Sequence, residues 1–197
     1  MKKLIATLIL CLSATMAQAT DYDFSGHLQY HNDVLKYSFT TSGATTVTLF
    51  TSSWDEGNFD PMLGLWNSGG GLLTWQDDGG NVGSTISNAV SYSHGTWDTY
   101  YSYALAAGTY FVTLSTYYNA PNGTNLSDGF SYDNQTPISL TAWNQPANGY
   151  RGDYYAFHIL GVETATNNNP VPEPSTLLLL GGGLAGLAFA RKRFAKK

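Results

Sequence analysis

The sequence has almost no cysteine. Cys11 is the single thiol, and it lies in an apolar run near the N-terminus. One thiol cannot form a disulfide within the chain, and it offers no cysteine pair to a metal. The rest of the chain must therefore be held together by its apolar core, by a bound cation, or by both.

Basic residues are also scarce in the long central part of the chain. Between Thr20 and Thr166 there are 13 Asp and Glu residues against Lys36 and Arg151, a formal net charge of −11, whereas the whole chain carries −5 because its ends are basic. A strongly negative surface repels nucleic acids and anionic lipid headgroups. The charge predicts that nucleic acid is not a partner, and it leaves cations and neutral sugars.

Long apolar runs occur only at the two ends of the chain. At the N-terminus, two lysines precede the apolar run 4–12, and Ala17-Gln18-Ala19 forms a small-x-small cleavage site. This is the layout of a secretory signal peptide. We predict that residues 1–19 are removed, so that the mature chain begins at Thr20 and loses Cys11.

The C-terminal apolar run is short and is followed by a basic cluster. An uncharged segment of 14 residues, 177–190, precedes five Lys and Arg residues within 191–197. A relaxed bilayer requires about 20 apolar residues, and a basic end stays in the cytoplasm. The pattern predicts an exported body with a transient inner-membrane anchor, and an ordinary single-pass anchor is the alternative.

The tail formed by residues 171–197 resembles the PEP-CTERM sorting signal of Gram-negative bacteria that make extracellular polysaccharide. The resemblance rests on Pro172, Glu173 and Pro174, on the glycine-punctuated apolar run and on the basic end. It implies that an exosortase recognises the Pro-Glu-Pro motif and removes the tail. It also implies a cell-surface or extracellular-matrix destination, with exopolysaccharide or other surface components as partners.

The body between the two signals is predicted to form one all-β domain, residues 20–163, followed by a linker from Thr164 to Pro170. Apolar and polar residues alternate in short runs, turn-forming residues separate these runs, and helical spacing is absent. The apolar positions of these runs are Leu35, Tyr37, Phe39, Val47, Leu49, Leu63, Leu65, Tyr101, Tyr103, Leu105, Tyr110, Val112, Leu114, Tyr155, Phe157 and Ile159. Many short alternating strands indicate a β-sandwich or jelly roll. Long loops around one strand near Ile138–Ala142 are expected between Thr116 and Gly152.

Four segments of this body resemble the bacterial pre-peptidase C-terminal domain. They are residues 33–39, 59–66, 72–80 and 105–112, in the order and approximate spacing of that family. The resemblance covers residues 33–115 and implies a β-sandwich accessory module without catalysis of its own. Some members of that family bind calcium.

An acidic turn is the best place for metal chemistry. Asp77 and Asp78 precede Gly79-Gly80, and Asp60 stands at the start of the preceding predicted strand. A hairpin would bring these carboxylates together as hard oxygen ligands, for which calcium is the expected cation. The alternative is that Asp-Gly forms a turn whose carboxylates face water.

Aromatic residues in predicted loops form a second candidate site. Sugar rings stack on exposed aromatic rings, with Asn and Asp nearby to bond hydroxyls. The candidates for stacking are Trp97, Tyr117, Tyr118, Trp143 and Tyr150. The alternative is that these rings pack in the core or over its open ends.

Catalytic motifs are lacking. The four histidines are not paired at metal-ligand spacing, no serine lies in a Gly-x-Ser-x-Gly turn, and Ser93-His94 near Asp98 is interpreted as part of a polar loop. We therefore predict a non-catalytic surface or extracellular-matrix protein. A carbohydrate-binding module with one sugar site is the first alternative. A polysaccharide-modifying enzyme is the second alternative. It stays open because the sequence gives no distances between carboxylates, and a glycosidase uses a pair of them.

Overall fold

The structure, a computed structural model, describes residues 19–146 and 149–169. Most of these residues form antiparallel strands, with one short helix and two single-turn 3₁₀-helices. In chain order the strands and the helix are β1 (Thr20–His27), β2 (Leu35–Thr41), β3 (Thr45–Thr51), α1 (Ser53–Gly57), β4 (Pro61–Asn67), β5 (Leu72–Gln76), β6 (Gly83–Ser87), β7 (Val90–His94), β8 (Tyr100–Leu105), β9 (Gly108–Thr116), β10 (Asn144–Gln145), β11 (Gly149–Tyr150), β12 (Tyr154–Val162) and β13 (Thr164–Asn167).

Two antiparallel sheets stack to form the body. One has the strand order β1-β12-β3-β8, and the other has the order β13-β2-β9-β4-β5. The hairpins β6–β7 and β10–β11 form separate two-stranded sheets. The predicted all-β sandwich is confirmed.

The core lies between the two sheets, as the alternating pattern predicts. In β2, Tyr37 and Phe39 are buried while Lys36 is exposed. Val112 and Leu114 of β9 join them in one cluster with the apolar residues of β3 and β12. Successive side chains of a strand point to opposite faces, so each run of period two places its apolar half in this core.

The segment between β9 and β12 covers the outer face of the second sheet. Trp66 of β4 is fully buried there, and its ring meets that of Phe130 edge to face, with centroids 6.2 Å apart. The prediction of a strand near Ile138–Ala142 is wrong. Leu140–Ala142 is a 3₁₀-helix, because the buried side chain of Leu140 anchors a turn and not an extended pair.

The predicted start of the linker, at Thr164, is wrong. Thr164–Asn167 forms strand β13, which pairs with β2 in the register Thr164↔Thr40 to Asn167↔Tyr37. This pairing satisfies backbone groups at an edge of β2 that would otherwise be open. The domain therefore extends beyond residue 163, into the residues assigned to the linker.

The two predicted sorting segments lie outside the described residues, except for Ala19. They are the signal peptide, 1–19, and the tail, 171–197, with its apolar run 177–190 and basic end 191–197. Within residues 19–146 and 149–169, no helix is long and apolar enough to cross a membrane.

Candidate functional site

Three strand ends meet at one edge of the second sheet. β4 begins at Pro61, directly after Asp60, and the antiparallel strand β5 ends at Gln76, directly before Asp77. On the other side of β4, Pro61 pairs with Thr116, the last residue of β9. Antiparallel pairing thus places the start of β4 beside the ends of β5 and β9, and it brings Asp60 to the acidic turn.

The three aspartates predicted as metal ligands come together at this edge. Asp60, Asp77 and Asp78 each offer one carboxylate oxygen, and these oxygens all lie within 4.8 Å of one another. Asp60 is buried, Asp77 is half-buried and Asp78 is exposed. The group therefore reaches from the protein interior to solvent, and we call it the acidic cluster.

The electrostatics of the acidic cluster disfavour three negative charges. Burial, together with the charges of Asp77 and Asp78, raises the pKa of Asp60 to about 7. Burial and the charge of Asp78 raise the pKa of Asp77 to about 6, and burial also raises the pKa of Asp78. A cation among these oxygens would lower these pKa values, since its positive charge favours the ionised form.

A buried amide completes the inner side of the acidic cluster. Gln145 of β10 is 1% exposed, and its Nε2 donates to Oδ2 of Asp60 at 3.2 Å. Oε1 of Gln145 has no hydrogen-bond partner among the described residues, and the same is true of Oδ1 of Asp77. Two buried acceptor oxygens without donors are costly in an apoprotein and are suitable ligands for a hard cation.

Backbone contacts hold the acidic turn in place. Oγ1 of Thr99 donates to the carbonyl oxygen of Asp77 at 2.6 Å, and the amide of Gly79 donates to the carbonyl oxygen of Asp98 at 2.7 Å. Asp98 is itself buried, and its Oδ1 accepts from the amide of Ser53. These contacts fix the turn against the loop before β8. The backbone that carries Asp77 and Asp78 is therefore held in place.

Five other acidic residues of the body lie outside the acidic cluster. Asp55 and Glu56 are exposed on α1 and are not part of the cluster. Asp128 and Asp133 accept from backbone amides three residues earlier, as turn residues do. Asp153 pairs with His27 at 2.9 Å.

Four of the five rings predicted to stack on sugars lie at the surface, and one does not. Trp97, Tyr118 and Tyr150 are exposed, and Tyr117 is half-buried. Trp143 is only 8% exposed and packs in the core cluster, so its assignment to a sugar site is wrong. The sequence placed Trp143 in a loop, but the residue is buried because the segment between β9 and β12 folds back over the sheet.

Tyr117 stands beside the acidic cluster, and Tyr118 follows it in the chain. The amide of Tyr117 donates to the carbonyl oxygen of Asp60 at 2.9 Å. The two rings meet edge to face with centroids 4.3 Å apart, and Tyr118 has the left-handed backbone angle φ 64°. This angle is uncommon for a residue with a bulky side chain, and such strain concentrates at functional sites.

A second aromatic group near the same end includes an arginine. The rings of Trp54 and Trp97 lie 5.7 Å apart, and the guanidinium carbon of Arg151 lies 4.6 Å from the centroid of Trp54. Nη1 of Arg151 donates to Oδ1 of Asn58 at 3.0 Å. Sequence reasoning missed Trp54, Arg151 and Gln145, because no local pattern links residues that are so far apart along the chain.

A Ser–His–Asp chain of hydrogen bonds, with Ser52 and His158 buried and Asp23 exposed, was also missed. Nδ1 of His158 donates to Oδ1 of Asp23 at 2.7 Å, and its Nε2 accepts from Oγ of Ser52 at 3.0 Å. Ser52 is 2% exposed and His158 is 1% exposed. Asp23 lies in β1, His158 lies in β12 and Ser52 directly follows β3, so the hydrogen bonds link three neighbouring strands of the first sheet.

The fold and the tail define the class of protein: an exported β-sandwich with a C-terminal sorting signal. Residues 170–193 match the family model of the PEP-CTERM protein-sorting motif. This motif indicates a protein that is sorted by an exosortase, as the Pro-Glu-Pro tail predicted, and it implies processing by that enzyme. A search of curated proteins found no match. The resemblance of residues 33–115 to the pre-peptidase C-terminal domain stays a prediction.

Proposed function

We propose that the protein is a non-enzymatic component of the bacterial surface or extracellular matrix, and that its sandwich binds calcium at the acidic cluster. One observation carries the metal assignment: carboxylate oxygens of Asp60, Asp77 and Asp78 lie within 4.8 Å of one another, beside the unpartnered Oε1 of Gln145. The sorting motif supports the destination, since it implies export through the inner membrane.

Calcium suits this arrangement better than magnesium. Calcium accepts six to eight oxygen ligands in flexible geometry, whereas magnesium demands a near-ideal octahedron and keeps several waters. The cluster offers carboxylates at different depths together with an amide oxygen. Extracellular calcium modules bind with dissociation constants of about 0.1–1 mM, and a site of this strength would be filled outside the cell.

The experiment is a thermal unfolding series of the purified protein in EDTA, in calcium and in magnesium at equal ionic strength. Calcium at about 100 times its dissociation constant stabilises the native state by roughly 2.7 kcal/mol, which shifts the melting temperature by several degrees in a domain of this size. Asp77→Asn with Asp78→Asn should remove the shift, and Asp55→Asn, outside the cluster, should keep it. Equal shifts in calcium and magnesium would contradict the assignment.

Association with exopolysaccharide is the second part of the proposal. The exposed rings of Trp97, Tyr118 and Tyr150 support it, since neutral sugars stack on such rings. A carbohydrate-binding module with one defined sugar site is the alternative within this part. Glycan-array binding that disappears on Trp97→Ala or Tyr118→Ala favours the module, and binding that survives both favours a diffuse matrix role.

The absence of catalysis is also a proposal. Burial of Ser52 and His158 supports it, because Oγ of Ser52 is not presented to solvent. Incubation of the protein with the organism's own polymer tests it. Chain shortening or ester release by the wild type, abolished by Ser52→Ala, would make the protein a polysaccharide-modifying enzyme.

A further inference from the structure

The end of the sandwich that carries the acidic cluster also carries an exposed aromatic ring and an arginine. The exposed ring of Tyr118 stands on a strained backbone, one residue after Tyr117, whose amide donates to the carbonyl oxygen of Asp60. Arg151 lies near enough to lower the pKa of Asp60, and it stacks on Trp54. We propose that a divalent cation in the acidic cluster bridges this end to the carboxylates of an anionic, uronic-acid polysaccharide. The inference rests on the proposed cation site.

The charges at this end fit a carboxylate ligand only when the cation is present. When all three aspartates are ionised, they and Arg151 sum to −2, and the body as a whole is strongly negative. A polyanion is then repelled. A divalent cation brings the local sum to zero, and it adds a charge that attracts carboxylate directly.

The coordination of the cation leaves room for the ligand. Asp60, Asp77 and Asp78 with Oε1 of Gln145 supply four oxygens if each binds once, and calcium takes six to eight. Asp78 is exposed, so the open positions face solvent. A sugar carboxylate is a harder and stronger ligand for calcium than a neutral hydroxyl, which favours an acidic polymer over a neutral one.

Side chains around the cluster supply the remaining contacts. Arg151 offers a planar donor group suited to carboxylate. Apart from Lys36, it is the only Lys or Arg between Thr20 and Thr166. The ring of Tyr118, 52% exposed, offers an apolar face for a sugar ring. The left-handed backbone of Tyr118 would suit glycine better, so the ring is held there against its local preference.

The test uses the full-length protein in detergent, with polygalacturonate, dextran sulfate and dextran immobilised in parallel, in 2 mM calcium and in EDTA. We expect polygalacturonate to bind at least tenfold more strongly in calcium than in EDTA. Dextran should not bind, and dextran sulfate should bind at least tenfold more weakly than polygalacturonate. Calcium binding itself is measured separately by thermal unfolding.

Two variants separate ligand binding from folding and from the cation. Tyr118→Gly relieves the backbone strain, so it should keep the fold and the calcium shift while lowering affinity for polygalacturonate about tenfold. Ala89→Gly is the matched control, since Ala89 has nearly the same backbone angle, φ 65°, in the β6–β7 turn. It should leave affinity unchanged. Arg151→Gln should weaken polygalacturonate binding and keep the calcium shift.

Each outcome bears on one proposal or the other. If calcium gives no more stabilisation than magnesium, the cation site of the proposed function fails, and the bridge fails with it. If the calcium shift is present but polygalacturonate binds equally in EDTA, or does not bind, only the bridge is overturned. Calcium-dependent binding of dextran would also overturn it, in favour of a neutral-sugar site.

Discussion

Gln145 donates from Nε2 to Oδ2 of Asp60 at 3.2 Å, although 85 residues separate them along the chain. Both side chains are buried, and Oε1 of the same amide has no partner among the described residues. The short strand β10 thereby adds Gln145 to the acidic cluster, whose aspartates lie at the start of β4 and after the end of β5. This contact links the cation proposal to the fold of that segment.

Gln145→Leu should weaken calcium binding about tenfold, or 1.4 kcal/mol, because it removes one oxygen ligand from the inner side of the cluster. Leucine has a similar volume and suits a buried position, so the fold should persist. Gln145→Glu restores an oxygen and adds a charge, and it should bind calcium at least as tightly as the wild type. Titration calorimetry measures both. Equal affinities for all three proteins would exclude Gln145 as a ligand.

Without a cation, the protein should lose stability as the pH rises from 5 to 8. The pKa of Asp60 is raised to about 7 and that of Asp77 to about 6, so the folded state binds more protons than the unfolded state above pH 4. The free energy of unfolding then falls with pH by roughly 1–3 kcal/mol. Denaturant unfolding in EDTA measures this loss.

Two comparisons isolate this pH effect. Asp60→Asn should flatten the dependence on pH, and saturating calcium should also remove the loss, because a bound cation keeps the carboxylates ionised in the folded state. The titration of His158 changes the stability with pH in the opposite direction. The quantity to compare is therefore the difference in pH dependence between the wild type and Asp60→Asn. An unchanged slope in Asp60→Asn would contradict the raised pKa.

Ser52→Ala should destabilise the protein by about 1–3 kcal/mol, since it leaves Nε2 of a buried imidazole without a partner. Burial lowers the pKa of His158 below its usual value, although Asp23 opposes this shift. The ring is therefore harder to protonate in the folded state than in the unfolded state, and stability is lost as the pH falls below the ordinary histidine value of about 6.5. Ser38→Ala, at a surface hydroxyl, is the control.

Changing Pro172, Glu173 and Pro174 together to Ala should keep the full-length chain in the inner membrane. The wild type should instead lose a few kilodaltons from its C-terminus, because a short apolar run followed by basic residues is expected to hold the chain in the membrane only until it is cleaved. Cell fractionation followed by immunoblotting of the body measures both forms. Identical processing of the two chains would contradict a role for the motif.

Much of the fold was predictable because its information is local. Tyr37 and Phe39 in β2, or Val112 and Leu114 in β9, occupy the core face by simple alternation. The same locality explains the errors. Thr164–Asn167 has a polar composition typical of a linker, yet it pairs with β2 because that edge has open backbone groups.

The sequence by itself determined the C-terminal sorting motif, the all-β body, and the residue types of the acidic turn. Adjacent residues carry each of these features, so periodicity and spacing were sufficient. Only the tertiary structure decided that Asp60 faces Asp77 and Asp78, that Gln145 reaches them, and that Trp143 is buried. These relationships depend on strand pairing and on a long segment folding back over a sheet, and local spacing does not encode such contacts.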